Sequence, residues 1–446
     1  MGNVLQHPAA KNPVWPEPHK GTHAEMVKWI LDQSYRKQPM LASLSALITL
    51  SSACGPRYLT DCGLAVNLYG LTLGPTGCGK DAPIAHSARA LRENSGGAIY
   101  CIDQVASGEG MEDTLTVAPN LHLSADEAAH TFMRMSGSNP SPHMITLNQI
   151  LLRVFTRAGD AYVPRIRAKT KQQAEAPNPI LRPHLTINAA TTEDSFVKSL
   201  RVSEFGTGLL PRFLLARLSD DYPPKNLFAK HQPFPESLVK VVKALTATKI
   251  GGAASNVRTI TYGDDALSAL AIVDAAADRQ VELGSGFEKH VFIRTTEKVK
   301  KIAGILAAVE NPDAPVMNRS QVEWAARLVA ASDGQMIALA HNRMSSDDAD
   351  STAKDVLRHL HRLSTTAKAR NEQERFILGK GWIPKSLLAR TASIGIVSLN
   401  SAVSALVEQG LVEMRDAQSI PELADGIVPG KPPTVLRLLS DEAEES

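Results

Sequence analysis

The chain of 446 residues has no excess of one charge: Lys and Arg total 48, Asp and Glu total 46, and the formal net charge is +2. Bulk charge therefore makes no claim on nucleic acid, and any basic surface must be local. Cysteine is scarce. Cys54, Cys62, Cys78 and Cys101 form no Cys-x-x-Cys pair and no zinc spacing. That excludes a disulfide scaffold and points to free thiols in a reducing cytoplasm. Long apolar runs are missing too. The most apolar run, Met40–Cys54, carries several Ser and Thr. It is too short to span a bilayer and reads as a buried helix, with no membrane expected. Met1–His7 lacks a signal-peptide core, and Gln6 spoils the myristoylation pattern. What is there is globular: 43% hydrophobic and 21% charged residues, in a length that suits two or three domains.

The informative stretch is Gly74-Pro75-Thr76-Gly77-Cys78-Gly79-Lys80-Asp81. It follows an apolar run, Val66–Leu73, that reads as a buried strand, and it opens a helix-compatible run, Ala82–Leu91. Strand, glycine loop, helix is the context that a phosphate-binding loop needs. Gly74, Gly77 and Gly79 let successive backbone N–H groups turn inward on an anion. The helix start adds partial positive charge. Lys80 can reach the outer phosphates of a nucleotide. Such a loop normally ends in Ser or Thr, whose hydroxyl ligates magnesium. Here Asp81 stands in that place, able to bind the metal and also to repel phosphate.

Further motifs follow in order. Residues 1–22, rich in Pro, His and Lys, read as an arm, and His23–Ser52 is helical by period. Ala98–Ile102 is an expected strand. Asn120–Ser124 is a short strand leading to Asp126-Glu127. Downstream of a phosphate loop this suggests Asp126 on the magnesium-bound water and Glu127 as the general base for attacking water. The same pair also suits a helix N-terminus. Tyr162–Lys171 alternates so that Arg165, Arg167, Lys169 and Lys171 share one side of an extended segment, with Ile180 and Leu181 starting a return strand. A basic hairpin of this kind can hold the phosphates of a single strand, or simply guard a sheet edge. Pro183–Thr192 reads as a buried strand with a polar end. Thr192 is the first choice for a γ-phosphate sensor, then Thr191 and Asn188. Arg212 precedes a last strand, a place from which it can reach a neighbouring subunit's nucleotide.

The order GPTGCGKD, SADEAA, NAATTEDSF, GLLPRFLL resembles an AAA+-type or related additional-strand ATPase core. The flanking texture, NLYGLTLGPTGCGKD with RTTEKVKKIAGILAAV and a helical tail, resembles the P-loop ATPases of phages, plasmids and integrated elements, often linked to primase domains in replication helicases. The likeness spans about residues 20–345. It implies ATP and Mg2+ as cofactors, a ring of usually six subunits, and single-stranded or forked DNA as partner. No primase module is present in these residues, so a primase or initiator would be a separate protein.

The expected fold class is α/β: a P-loop core with a mainly parallel sheet, a helical lead-in, a helical lid and a small winged helix. The expected domains are the arm at 1–22, the ATPase core at 23–230, a lid at 231–350, a helical linker at 351–375 and a winged-helix-like domain at 376–446. Residues 222–260, with four prolines and a Gly-Ala-Ala-Ser stretch, read as linker. Asp264–Leu283, Thr295–Val309 and Ser320–Asn342 read as lid helices, from which Arg294 can reach a nucleotide or lie on a helix surface. His359 and His361, two apart on a helix, do not share a face and make no metal pair. Val397–Gln409 would be the recognition helix of the winged helix, but it holds no Arg or Lys. Duplex binding neutralises several phosphates, so protein or weak DNA contacts fit better. The expected activity is an ATP-driven DNA helicase. The alternatives are a nucleotide-controlled loader or initiator, and a transcription regulator.

Overall fold

Two strands with period-two patterning explain the centre of the fold. In Asn120–Ala125 and His184–Thr191, one face carries Leu121, Leu123, Leu185 and Ile187 and the other carries Asn120, His122, Ser124, His184, Thr186 and Asn188. All ten side chains are buried. Strands covered on both faces belong in parallel sheets. In this computed structural model, described for residues 14–136, 141–165, 178–199, 208–218, 222–247, 257–284, 286–392, 394–424, 426–427 and 432–439, that is what they form. Five strands pair in parallel in the order Tyr100–Ile102, Asn120–Ala125, His184–Thr191, Tyr69–Leu73, Phe213–Arg217. His184–Thr191 is therefore inserted between the strand that feeds the glycine loop and the strand that feeds Asp126.

The polar face lies under the helix Pro39–Cys54. Ser52 reaches His122 at 2.8 Å and Thr186 at 2.6 Å, and Ser45 donates to Asn188 at 3.3 Å. The apolar face packs on the helix Pro142–Arg157 through Leu147, Ile150, Leu151, Val154 and Phe155. The outer strand Phe213–Arg217 is not left as a bare edge. The Leu215 amide donates to Ser332 Oγ at 2.7 Å, and the Arg217 amide to Gln335 Oε1 at 2.8 Å. Covering an edge in this way satisfies donors that would otherwise invite another strand.

Two compact units divide the chain at Ala340 and His341. In the first, Asp264–Leu283 and Thr295–Glu310 share one apolar cluster with Pro39–Cys54. A second parallel sheet joins Tyr58–Thr60 to Arg258–Tyr262 and Val316–Met317. The expected lid thus shares its core with the lead-in helices, because their small residues let the helices approach. The expected linker at 222–260 contains a helix, Glu236–Thr246, that buries Leu238, Val242 and Leu245, a three- and four-residue spacing overlooked among the prolines. Among the described residues one helical stretch, Pro39–Arg57, is long and apolar enough to cross a membrane, and most of it is buried inside the fold.

The second unit has three antiparallel strands in the order Ile383–Pro384, Thr434–Leu438, Val412–Asp416. Helices Glu372–Gly379, Lys385–Ala392 and Ile396–Glu408 accompany them. Val356, Leu360 and Leu363, from the last turns of the helix Arg319–Thr366, enter its core with Leu388, Val403 and Leu436. Part of the expected linker at 351–375 is therefore core.

Candidate phosphate-binding site

The glycine loop leaves Leu73 at the carboxyl end of its strand, the edge at which parallel sheets bind ligands. The helix Asp81–Asn94 follows it. Gly77 and Gly79 have φ of 76° and 89°, a region that side chains with a Cβ rarely adopt. Gly79 also presses on its neighbour: a Cβ there would stand 2.9 Å from Arg36 Cβ and 3.2 Å from the Arg36 carbonyl. Gln38 Nε2 donates to the Cys78 carbonyl at 3.0 Å, and Tyr222 Oη to the Thr76 carbonyl at 3.1 Å. The loop is thus propped from outside by residues far away in sequence. Cys78 is buried, which pushes its thiol up, with Lys80 opposing. Lys80 is buried too, and among the described residues its ammonium makes no salt bridge. Asp81 is exposed in the first helical turn, where a carboxylate complements the helix dipole. Pro75 and Thr76 complete the loop.

Strand pairing brings the other candidates to this edge. Leu73 pairs with Thr191, and Ala189 pairs with Ala125. The Gly74 amide donates to the Thr191 carbonyl at 3.1 Å, and the Ala128 amide to the Ala190 carbonyl at 2.9 Å. The loop start and Asp126-Glu127 thus lie two strand spacings apart, roughly 10 Å. Glu127 is strained, with φ of 53°. A left-handed backbone costs a residue with a Cβ on the order of 1–3 kcal/mol. Its amide donates to Asp126 Oδ1 at 2.9 Å, and Thr191 Oγ1 donates to its Oε2 at 3.5 Å.

The end of the inserted strand divides its roles. Thr192, the first choice as phosphate sensor, pairs with Ser195: its hydroxyl donates to Ser195 Oγ at 2.8 Å and accepts from the Ser195 amide at 3.3 Å. That is the geometry of a helix cap, for the helix Glu193–Ser199. Thr191 is the hydroxyl that touches Glu127. Asn188 is buried beneath the sheet against Ser45, away from this edge. Sequence reasoning overlooked Arg217, which grips Glu193 with two bonds of 2.6 and 2.7 Å. Its register opposite Leu73 is invisible without the strand order.

No protein-family model matches the chain, and no curated protein matches it.

Arg212 stands at the opposite end of the sheet. Phe213 pairs with Tyr69, four residues upstream of Leu73, and Arg212 comes one residue earlier still, so roughly 16 Å of strand separates it from the loop of its own chain. Its guanidinium donates to the Gly208 carbonyl and lies 5.7 Å over the Phe155 ring. Burial, and Arg294 next, lower its pKa. Arg294 is therefore on the Arg212 side rather than the Lys80 side. It pairs with Glu297 at 2.8 Å, as does Lys301 at 3.3 Å. Burial brings the Lys301 ammonium down to about 8.

The expected hairpin has its stem: Ala161–Tyr162 pairs antiparallel with Ile180–Leu181. Arg165 is engaged by Glu112 at 3.2 Å and Glu109 at 3.3 Å, and it donates to Thr146 at 3.0 Å. Arg167, Lys169 and Lys171 lie outside the described residues. Among the described residues no cluster of three His, Cys, Asp or Glu could hold a metal by itself. A magnesium ion needs no such cluster when phosphate and water supply most of its oxygens, and one or two carboxylates suffice. Asp126, exposed and with one oxygen outside the bond to the Glu127 amide, fits that demand; Asp81 is exposed in the first turn of the helix after the loop.

Proposed function

We propose that the chain is a P-loop ATPase and that it drives a ring-shaped DNA motor, the replicative helicase of a phage, plasmid or integrated element. The carrying observation is the meeting of Gly74–Asp81, Asp126-Glu127 and Thr191 at one sheet edge, with a strand inserted between the first two. The inserted strand supports an additional-strand core. In this reading the loop amides and Lys80 bind the phosphates of ATP. Glu127, aimed by its left-handed backbone and by Thr191, takes the proton of the attacking water. Asp126, with Asp81 as the second candidate, would hold a magnesium ion, which would neutralise phosphate charge when bound. Arg212, too far from its own loop to serve it, would have to leave the Gly208 carbonyl to reach the site of a next subunit, and the six-membered ring rests on the resemblance. The hairpin after Arg165 carries single-stranded DNA, and Arg165 itself anchors the hairpin base. The strand and helix order of the second unit supports a winged helix. Its helix Ile396–Glu408 exposes Ile396 and Val397 at 72% and 83%. Without Lys or Arg it suits a protein partner, such as a separate primase, better than phosphates.

One observation favours a second reading. Arg165 is spent on Glu109 and Glu112, which leaves less charge for a translocating strand. A nucleotide-controlled loader or initiator needs no such strand. Strand displacement on a forked duplex separates the two. The motor predicts ATP-dependent unwinding that Glu127→Gln and Arg212→Ala both abolish. ATP binding without unwinding at any salt or magnesium level would leave the loader. Failure of ATP to bind would remove both.

A further inference from the structure

The connection between the outer strand and the helix Glu236–Thr246 returns to the glycine loop. Arg36 and Lys225 form an antiparallel bridge, and the Asn226 amide donates to the Tyr35 carbonyl at 2.7 Å. This sets Tyr222 beside the loop, with its hydroxyl on the Thr76 carbonyl at 3.1 Å. Arg36 covers one face of the ring, its Cζ 5.3 Å from the centroid, and is itself fixed by the Pro223 carbonyl at 2.5 Å. The same Arg36 is the residue against which Gly79 packs. Tyr222 nevertheless stays 48% exposed, as does Tyr35 at 48%. An aromatic ring backed by a guanidinium on one side and open to solvent on the other, within one hydrogen bond of a phosphate loop, has the form of a stacking platform.

We propose that Tyr222, backed by Arg36, is the base platform of this nucleotide site, so that the site takes purine nucleoside triphosphates by stacking. The inference rests on the nucleotide reading of the loop. With phosphates in Gly74–Lys80 the ribose carries the base out of the loop, and Tyr222, tied to the Thr76 carbonyl, is a half-exposed aromatic ring beside it. The tyrosine spends its one donor on Thr76, so the ring offers a face rather than an edge. Stacking accepts any base because each has a π-face, and the larger purines overlap it more. ATP and GTP should therefore both serve, with pyrimidine triphosphates weaker.

The test compares binding of ATP, GTP, CTP and inorganic tripolyphosphate to the full chain by calorimetry, for the wild type and for Tyr222→Ala, Tyr222→Phe and Lys80→Ala. The inference expects ATP and GTP to agree within about threefold and CTP to bind about tenfold more weakly, the size of a lost stacking contact. It expects Tyr222→Ala to lose about tenfold more for ATP than for tripolyphosphate, and Tyr222→Phe, which gives up the same hydroxyl but keeps the ring, to keep the wild-type ratio of ATP to tripolyphosphate binding. Equal binding of ATP and CTP overturns it. So does an equal loss of tripolyphosphate in Tyr222→Ala, since Tyr222 would then only prop the loop. Lys80→Ala isolates the underlying reading: if it alters neither ATP nor tripolyphosphate binding, the loop is not a phosphate site, and the platform falls with it.

Discussion

Lowering the pH from 7.5 to 5.0 should destabilise the first unit through two imidazoles in its central sheet. His122 and His184 are both fully buried. His122 Nδ1 meets Ser52 at 2.8 Å and Thr186 at 3.0 Å, while His184 Nε2 donates to the Ser51 carbonyl at 3.0 Å. The other nitrogen of each ring is buried with no hydrogen-bond partner. Protonation would place a charge there with nothing to receive it, and burial pushes both pKa values from 6.5 to about 3. A pKa depressed on folding means that the unfolded chain binds the proton better. The stabilisation is complete above pH 6.5 and is lost as the pH falls from 6.5 towards 3. A pH of 5.0 lies about 1.5 units below the unfolded value, so each ring costs about 2 kcal/mol and the pair about 4 kcal/mol. Guanidinium unfolding in a Trp382→Phe background reads this unit alone, since Trp15, Trp29 and Trp324 all belong to it. The double variant His122→Asn, His184→Gln keeps a polar partner at Ser52 and Ser51 but cannot titrate. Between pH 7.5 and 5.0 it should lose about 4 kcal/mol less than the parent. The comparison cancels the carboxylates and the third buried imidazole, His23, lowered to about 4. Equal losses in parent and double variant would refute the reasoning.

Four other outcomes are expected. Gly79→Ala forces a Cβ onto Arg36 at a φ of 89°; nucleotide binding should fall at least tenfold while the melting temperature drops by a few degrees, checked by calorimetry and thermal denaturation. Thr191→Val should lower ATP turnover about tenfold with ATP affinity unchanged, whereas Thr192→Val should cost about 1 kcal/mol of stability, as a lost helix cap does. Lys298 and Asp333 form an ion pair with side chains only 2% and 3% exposed. Lys298→Met strands the carboxylate and should cost about 3–5 kcal/mol in denaturant unfolding, most of it recovered by adding Asp333→Leu. Ser332→Ala leaves the buried Leu215 amide without its acceptor and should cost about 1–3 kcal/mol, read as faster amide exchange at Leu215.

Local pattern made much of this legible. Asp264–Leu283 and the strand Asn120–Ala125 follow from period alone, because side-chain periodicity is set by backbone geometry. Helix Glu236–Thr246 was missed because nearby prolines outweighed three well-spaced apolar residues. The residue types that the proposed site would need for phosphate, metal and general base stand out in sequence at Gly74–Asp81 and Asp126-Glu127, since each chemistry demands particular groups.

Register and distance were not readable. Which hydroxyl meets Glu127 depends on one residue of strand end: Thr191 faces it, and Thr192 turns to cap a helix. Whether Arg165 is free depends on Glu109 and Glu112, more than fifty residues earlier in the chain. Tyr222 carries no motif at all, and its place follows from a bridge between Arg36 and Lys225. The sequence determined the chemical groups and the elements that bear them, because those are local properties. Only the tertiary structure decided which groups face one another, because strand order and helix packing minimise the free energy of the whole unit rather than of any segment.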